Sequence, residues 1–140
     1  MVKIDLIKSL QDIEKCFPVM GQLRTSLTKA EFVKRVQKQQ KSGYLLVYVE
    51  DNGKVVSVAG FRFLEALSRG KFMYVDDLIT DNEERSKGYG GKLFDWLIVY
   101  ARKQGCKELR LDSGVQRFSA HRFYFRKGMV ISSNHFEMTL

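Results

Sequence analysis

The segment Asp81–Leu93 reads DNEERSKGYGGKL, and it decides how the rest of the sequence is interpreted. Its last nine residues contain three glycines, one arginine and two lysines, and an apolar segment lies on each side. The preceding residues end a predicted strand, and the following ones begin a predicted helix. Because a helix N-terminus carries unpaired N–H groups and the positive end of the dipole, it binds anions readily. The segment therefore predicts a phosphate-binding loop.

This phosphate loop combines a permissive backbone with positive charge. Its glycines remove side chains that would hold an anion away from the backbone. They also weaken the helix start by about 1 kcal/mol each relative to alanine, which argues against a purely structural role. The arginine adds a planar donor and the lysines add mobile charge. The residues of the phosphate loop are Arg85, Ser86, Lys87, Gly88, Tyr89, Gly90, Gly91 and Lys92.

Two well-known phosphate-binding motifs are excluded by single positions. A P-loop requires a glycine five residues before Gly91 and a serine or threonine after the lysine, whereas this sequence has Ser86 and Leu93 there. A dinucleotide fingerprint that starts at Gly88 requires glycine at position 93, which is again leucine, and the strands before it form hairpins. The loop therefore belongs to another class of phosphate site.

The order of the predicted elements gives the class of fold. Strands are predicted at Val2–Ile7, Tyr44–Glu50, Lys54–Leu64, Lys71–Thr80, Leu109–Leu111 and, as a strand or hairpin, Met129–Leu140. Helices are predicted from Ser9 through about Phe17, from Thr28 onward, from the phosphate loop to Gln104, and over Ser119–Lys127. The order β-α-α-β-β-β-α-β-α-β(β) predicts an α/β (α+β) fold over residues 1–140, a single domain whose mixed, mainly antiparallel central sheet is flanked by helices.

Composition and charge restrict the classes of partner. Apolar residues make up 44% of the chain, the net charge is +8, and the pI is about 9.6. A basic surface favours polyanions, but the aromatic residues of 118–125 cluster on one helix, which disfavours a nucleic-acid-binding module. Cys16 and Cys106 make a poor disulfide framework, no His/Cys cluster has metal-ligand spacing, and no apolar run could span a bilayer. We expect a cytoplasmic protein without a metal or a membrane partner.

Two motifs resemble signatures of the GNAT acyltransferase superfamily. Arg85–Gly90, RSKGYG, matches the pattern R/Q-x-x-G-x-G/A, which in that family binds the pyrophosphate of coenzyme A. Ala120–Met129, AHRFYFRKGM, resembles the second signature A-x-x-F-Y-x-x-x-G-F, with methionine in the last place. The predicted order of elements also matches over the whole chain. The sequence is therefore similar to a small, single-domain, bacterial-type GNAT N-acetyltransferase.

The resemblance implies acetyl-CoA as the cosubstrate and a small-molecule or protein amine as the acceptor. The backbone of the phosphate loop would hold the pyrophosphate, and the backbone of Leu78, Ile79 and Thr80 would pair with the pantetheine arm. Tyr124 stands where the family often has the general acid that protonates the departing sulfur. A phenol with a pKa of about 10 is protonated at pH 7 and can donate.

The general base is less clearly indicated. Asp76 and Asp77 are adjacent on a strand, so alternation sends them to opposite faces of the sheet, and one is expected to face the acceptor. Glu50 and Glu65 are weaker candidates. The main alternative function is a non-catalytic acyl-CoA-binding protein with the same fold, because fold does not determine function.

Further positions bear on the cofactor, the acceptor and oligomerisation. Many family members have asparagine where this chain has Arg117, which could instead reach the 3′-phosphate of coenzyme A or an acidic group on the acceptor; Ser113 and Gln116 are further polar candidates near the cofactor. Acceptor recognition in the family involves the first two helices and their loop, here Pro18–Leu27. The polar residues of that segment are Arg24, Thr25 and Ser26. Its arginine suggests an acceptor with an acidic group, and the strand-like C-terminus predicts a homodimer.

Overall fold

One five-stranded sheet organises the chain in the computed structural model, which describes all 140 residues. The strands lie in sequence order across the sheet: β1 (Val2–Leu6), β2 (Leu45–Asp51), β3 (Lys54–Ala66), β4 (Gly70–Thr80) and β5 (Glu108–Leu111). The first four strands pair antiparallel, and the sheet as a whole is mixed. The helices are α1 (Leu10–Leu23), α2 (Lys29–Gln40), α3 (Tyr89–Lys103) and α4 (Phe118–Arg126), with one turn of 3-10 helix at Asn82–Glu84. This architecture confirms the predicted class of fold.

Local signals account for several of these boundaries. The Thr28 hydroxyl accepts from the Glu31 N–H at 3.2 Å while the Glu31 carboxylate accepts from the Thr28 N–H at 3.0 Å, which is the capping box that the sequence predicts at the start of α2. The β2–β3 hairpin turns at Asn52 and Gly53, whose φ angles of 51° and 81° are tolerated best by asparagine and glycine. The start of α2 and the β2–β3 turn are therefore determined by interactions between residues that are close together in the sequence.

Two predictions of secondary structure are wrong: the end of the first helix and the presence of a final strand. The first helix does not stop near Phe17 but continues through Pro18 to Leu23. Proline removes one helical hydrogen bond, but the burial of Val19 and Met20 against the sheet holds the last turns in place. The predicted final strand or hairpin does not form: residues 129–140 have no regular secondary structure.

The core has one layer on each face of the sheet. On one face, α1 and α2 pack through a cluster of Cys16, Met20, Phe32, Val36, Leu46, Tyr48, Val58 and Ile79. On the other face, α3 buries Leu93, Phe94 and Leu97, and the Phe61 ring of β3 contacts the Trp96 and Tyr100 rings at centroid distances of 6.3 and 5.9 Å. The face that α1 and α2 cover carries the candidate site.

The chain divides into two compact units, residues 1–110 and residues 111–140. The first unit contains α1 to α3 and almost the whole sheet. The second contains α4 and the segments around it, in which the Arg117 N–H donates to the Gly114 carbonyl at 3.0 Å and His121 Nε2 lies 2.8 Å from the same oxygen. None of the helices has the length and apolar character needed to cross a membrane.

Candidate active site

The phosphate loop joins β4 to α3 in a backbone conformation that its composition explains. Ser86 and Gly88 have φ angles of 66° and 85°, both in the left-handed region. Gly88 stands at the N-cap of α3, and no side chain caps the helix there. A Cβ added at Gly88 would meet open space, whereas one at Gly90 would lie 2.9 Å from Thr80 Oγ1. The start of α3 is therefore an open, glycine-lined helix N-terminus of the kind that holds phosphate groups.

Charged side chains surround the phosphate loop, but some are already paired. Lys87 Nζ lies 2.7 Å from a Glu84 carboxylate oxygen, and Lys54 Nζ lies 3.4 Å from the other. The hydrogen bond from Lys87 is the main reason that the pKa of Glu84 is lowered. Arg85 and Lys92 are exposed. Exposed lysine–carboxylate pairs exchange readily with water and other anions, so Lys87 is available to an arriving phosphate.

Tyr89 differs from the other loop residues because its side chain has a structural partner. Its hydroxyl donates to the Asp51 carboxylate, and this hydrogen bond raises the pKa of the Tyr89 phenol. The bond ties the start of α3 to the β2–β3 hairpin. The Tyr89 side chain is therefore occupied, and only the backbone N–H of this residue can contact an anion in the phosphate loop.

The end of β4 is fastened from both sides. Along Leu78–Thr80, β4 pairs with β3, and the fully buried Ser57 hydroxyl donates to the Ile79 carbonyl at 3.0 Å. Gln22 of α1 then holds the next segment, because its amide nitrogen donates to Asp81 at 3.2 Å and its oxygen accepts from the Asn82 N–H at 2.9 Å. Burial alone would raise the pKa of Asp81, but the Glu83 N–H, Gln22 and nearby Lys54 outweigh it and lower that pKa. The phosphate loop therefore begins from a fixed position.

A β-bulge in β4 brings Asp76 and Asp77 to the same face of the sheet. In the β3–β4 register, Gly60 pairs with Asp77 while Phe61 pairs with Val75, so Asp76 is the extra residue. The prediction that alternation sends the two carboxylates to opposite faces is therefore wrong. An extra residue in one strand interrupts alternation, and bulges of this type often lie beside active sites.

Each carboxylate has its own arginine. Asp77 accepts from Arg24 Nε at 2.9 Å and from the Tyr44 hydroxyl at 2.7 Å. Asp76 accepts from Arg62 Nε at 2.9 Å. Burial raises the pKa of Asp76, although the hydrogen bond from Arg62 acts in the opposite direction. Burial also raises the pKa of Tyr44 well above its usual value, so this phenol is a donor to Asp77 at any physiological pH.

The network extends to both helices that cover the face. Arg62 Nη2 donates to the Gln39 side chain of α2 at 2.9 Å, and Arg24, at the end of α1, also donates to the Asp76 carbonyl at 3.0 Å. Tyr44 reaches Asp77 only because Gly60 has no side chain, since a Cβ there would lie 1.6 Å from the Tyr44 hydroxyl oxygen. We call Tyr44, Arg62, Asp76, Asp77 and Arg24 the carboxylate cluster.

A cavity of about 130 Å³ adjoins the carboxylate cluster between α1, α2 and the sheet. Its walls are Met20, Arg24, Leu27, Phe32, Arg35, Val36, Gln39, Tyr44 and Asp77. Sequence reasoning placed Arg24 in an acceptor-binding region, and the structure pairs it with Asp77 instead of leaving it for a ligand. It missed Tyr44, Arg62, Gln39 and Arg35, although a glycine inside a strand at position 60 signals a close approach of another group.

The remaining predicted residues of the first unit lie apart from the carboxylate cluster or make other contacts. Glu50 pairs with Lys15 at 3.0 Å, and Glu65 is exposed opposite Lys71 on the β3–β4 ladder. Thr25 and Ser26 are exposed in the turn between α1 and α2. The structure gives neither glutamate a place in the carboxylate cluster.

The second unit contains the candidates Tyr124, Arg117, Ser113 and Gln116. Tyr124 lies half-buried on α4, its ring packs edge-on against Phe123 at 5.6 Å, and burial raises its pKa although Arg117 acts to lower it. The Ser113 hydroxyl is buried without a hydrogen-bond partner within the chain, which is costly unless a ligand or water satisfies it. Arg117 is exposed just before α4, and Gln116 is exposed beside Gly114.

Comparisons with known proteins identify the family of the chain. A model described as "Acetyltransferase (GNAT) family" matches residues 7–129. The chain therefore belongs to the GNAT family of acetyltransferases and is an acyltransferase, as the two sequence motifs predict.

Three similar proteins illustrate the relationship. The uncharacterized N-acetyltransferase YhdJ of Bacillus subtilis is 33% identical over 135 residues, which are 95% of each chain. The crystal structure of glucosamine-6-phosphate N-acetyltransferase from Arabidopsis thaliana superposes with a TM-score of 0.80 at 25% identity, covering 99% of this chain and 98% of that one. The aminoalkylphosphonate N-acetyltransferase of Salmonella typhimurium is 28% identical over 89 residues, 63% of this chain and 56% of that protein.

Proposed function

We propose that this protein is an acetyl-CoA-dependent N-acetyltransferase that moves an acetyl group to a primary amine of a small molecule. The observation that carries the proposal is the open start of α3, where Ser86 and Gly88 are left-handed and no side chain caps the helix. Such a helix start suits the pyrophosphate of coenzyme A. Membership of the GNAT family, whose members use acetyl-CoA, and relatives named as N-acetyltransferases support the same activity.

The residues present fit this cosubstrate. In the proposal, backbone N–H groups of the phosphate loop hold the pyrophosphate, with Arg85, Lys87 and Lys92 supplying charge. The backbone of Leu78–Thr80 receives the pantetheine arm. The Ser113 hydroxyl is buried and has no hydrogen-bond partner within the chain, so it can donate to a bound ligand. Arg117 is exposed and positively charged. Bound acetyl-CoA supplies the acetyl group as an activated thioester.

The proposed reaction is direct attack by the amine. A new C–N bond forms as the C–S bond breaks, the amine loses a proton, and the departing sulfur gains one. Tyr124 is the proposed donor to that sulfur, and its raised pKa keeps the phenol protonated at neutral pH. Asp76 is the proposed base, directly or through a water, because burial raises its pKa and makes it a stronger base than an exposed aspartate. Asp77, bonded to Arg24 and Tyr44, is the second candidate.

The names of two relatives favour a small acceptor. They refer to glucosamine 6-phosphate and to aminoalkylphosphonates, which are small amines that carry a phosphorus oxyacid. We further propose that the protein is cytoplasmic, which its two free cysteines favour. A homodimer is also proposed, supported by exposed apolar residues near the C-terminus such as Val130 and Phe136. Light scattering that detects only a species of 16.2 kDa would reject the dimer.

The first test is thermal unfolding with and without saturating acetyl-CoA, for the wild type and for a Gly88→Glu/Gly90→Glu variant. A ligand at a hundred times its Kd stabilises the folded state by about 2.7 kcal/mol. We expect this stabilisation in the wild type and its loss in the variant. No shift at millimolar acetyl-CoA would remove the basis of the proposal.

The second test separates an enzyme from a non-catalytic acyl-CoA-binding protein. Release of the free thiol of coenzyme A is followed over a panel of primary amines. The Tyr124→Phe variant should bind acetyl-CoA normally, but its kcat should be lower by a factor of about 100 or more. An unchanged kcat across pH would exclude the acid role of Tyr124, and tight binding without turnover of any amine would favour the non-catalytic alternative.

A further inference from the structure

The cavity beside the carboxylate cluster carries an excess of positive charge. Its walls include two guanidinium groups, those of Arg24 and Arg35, and one carboxylate, that of Asp77. Arg24 is bonded to Asp77, with an N–O distance of 2.8 Å in the salt bridge. Arg35, by contrast, is exposed and forms no salt bridge. The Glu31 carboxylate one turn earlier on α2 is bonded to the Thr28 N–H and acts on Arg35 only through the electrostatic attraction of the two charges. One guanidinium that lines the cavity therefore has no carboxylate in direct contact with it.

The other walls strengthen the effect of that charge. Met20, Leu27, Phe32 and Val36 are apolar, and low-dielectric walls focus the field of a nearby charge into a cleft. A plain ammonium group would enter such a cavity against this field. The field would favour the entry of an amine that also carries a negative group, because that group neutralises the excess positive charge of the guanidinium.

The size of the cavity limits the acceptor. About 130 Å³ is well below the range of about 300–1,000 Å³ that is usual for drug-sized ligands. The space suits a short aliphatic amine better than a nucleotide or a folded polypeptide. Arg35 presents a planar fork of donors that matches the oxygens of a carboxylate or phosphonate in a bidentate manner.

We infer that the acceptor of this enzyme is a short primary amine that carries an acidic oxyanion, and that Arg35 binds the acid. This inference rests on the proposed function and specifies its substrate class. Arg35 is the residue that sets specificity, and Asp77, which also lines the cavity, lies at the amine end. The arginine that the sequence singled out, Arg24, holds Asp77 in place and is not the group that recognises the acid.

Three amines with the same two-carbon chain test the inference. They are 2-aminoethylphosphonate, β-alanine and ethanolamine, which differ only in a phosphonate, a carboxylate or a hydroxyl at the far end. Values of kcat/KM are measured with saturating acetyl-CoA for the wild type, Arg35→Gln, Arg35→Lys and Lys34→Gln. Lys34 is the matched control, because it is an exposed cation one residue away on α2 and does not line the cavity.

We expect the wild type to prefer at least one acidic amine over ethanolamine by about tenfold or more. The preference should fall to near unity in Arg35→Gln, survive partly in Arg35→Lys, and remain unchanged in Lys34→Gln. The comparison between phosphonate and carboxylate tells which oxyanion is preferred. A wild type that uses ethanolamine as well as the acidic amines overturns the inference and leaves the proposed function intact, and so does a preference that persists in Arg35→Gln.

Binding is measured in parallel so that absence of turnover is also informative. Thermal shifts with millimolar 2-aminoethylphosphonate and β-alanine are recorded for the same variants. A shift that depends on Arg35, without acetylation of any amine, would support the anion site and count against the proposed function. If neither acidic amine is acetylated or raises the melting temperature of the wild type, the inference is wrong.

Discussion

The phosphate loop and the carboxylate cluster are separated by only a few residues along the chain, yet they are built in different ways. The phosphate loop consists of consecutive residues whose backbone is proposed to bind the pyrophosphate, with left-handed Ser86 and Gly88 at its centre. The carboxylate cluster gathers Arg24 from the end of α1, Tyr44 from just before β2, Arg62 from β3 and the two aspartates from β4. A site of consecutive residues is specified locally, whereas an assembled cluster depends on the packing of the whole first unit.

This difference predicts that changes in the two regions have different consequences. Substitutions at Gly88 and Gly90 in the phosphate loop should act mainly on ligand binding, because Gly88 faces open space and Gly90 faces a single hydroxyl. Substitutions in the carboxylate cluster should act on stability as well, because each charged group there has a packed partner. We expect the following effects, in order from the largest to the smallest.

The largest effect is expected from Gly60→Ala in the carboxylate cluster. The new methyl group would lie 1.6 Å from the Tyr44 hydroxyl oxygen, so Tyr44 must move and lose its bond to Asp77. We expect the free energy of unfolding to fall by about 3 kcal/mol, which urea denaturation can measure. The control is Gly53→Ala, at a left-handed hairpin position with open space, where about 1 kcal/mol is expected. Equal losses in the two variants would contradict the packing argument.

The next effect distinguishes the two aspartates. Asp77→Asn should cost about 2 kcal/mol at pH 7, because Arg24 and Tyr44 each lose a charged partner. Asp76→Asn should cost less than about 0.5 kcal/mol at pH 7. Urea denaturation of both variants measures the difference.

The pH dependence of Asp76 gives the sign of its contribution. Because the folded state raises the pKa of this group above 3.8, the folded state holds the proton more tightly than the unfolded state does. The contribution of Asp76 to stability is therefore greatest below pH 3.8 and is lost as the pH rises through the folded pKa. As the pH rises from about 4 to about 7, the stability of Asp76→Asn relative to the wild type should therefore increase. A decrease over that range would show that the ion pair with Arg62 dominates.

A smaller effect is expected inside the phosphate loop. Gly90→Ala would bring a Cβ to 2.9 Å from Thr80 Oγ1, a contact that a small shift can relieve. We expect a loss of about 1 kcal/mol that largely disappears when Thr80→Ala is already present. A double-mutant cycle by thermal unfolding measures this coupling, and two effects that simply add would mean that the contact is unimportant.

The last prediction compares the two cysteines and involves no loss of stability. Cys16 is fully buried, and burial raises its pKa to about 12, whereas Cys106 is only partly buried. Iodoacetamide at about pH 8 should therefore modify Cys106 and spare Cys16 in the folded protein, as peptide mass spectrometry can show. In urea both should react, and modification of Cys16 without denaturant would indicate that the α1 side of the core opens.

The sequence was sufficient for most of the fold and for the glycine-rich loop between β4 and α3. Alternation, turn residues and the Thr28 capping box predicted nearly all the elements in their observed order, because each of these signals acts within a few residues. It was insufficient for the length of α1, where burial of Val19 and Met20 overcomes the cost of Pro18. It also failed for residues 129–140, where residues with strand propensity find no place in the sheet.

The sequence by itself determined the family, the glycine-rich start of α3 and the position of Tyr124 on a helix, because these depend on residues that are close together in the chain. Only the tertiary structure decided the geometry of the carboxylate cluster. The bulge at Asp76 becomes visible only in the pairing of β4 with β3, and it places two adjacent carboxylates on one face. The partners of those carboxylates come from positions 24, 44 and 62, and no local signal relates such distant side chains until the helices pack on the sheet.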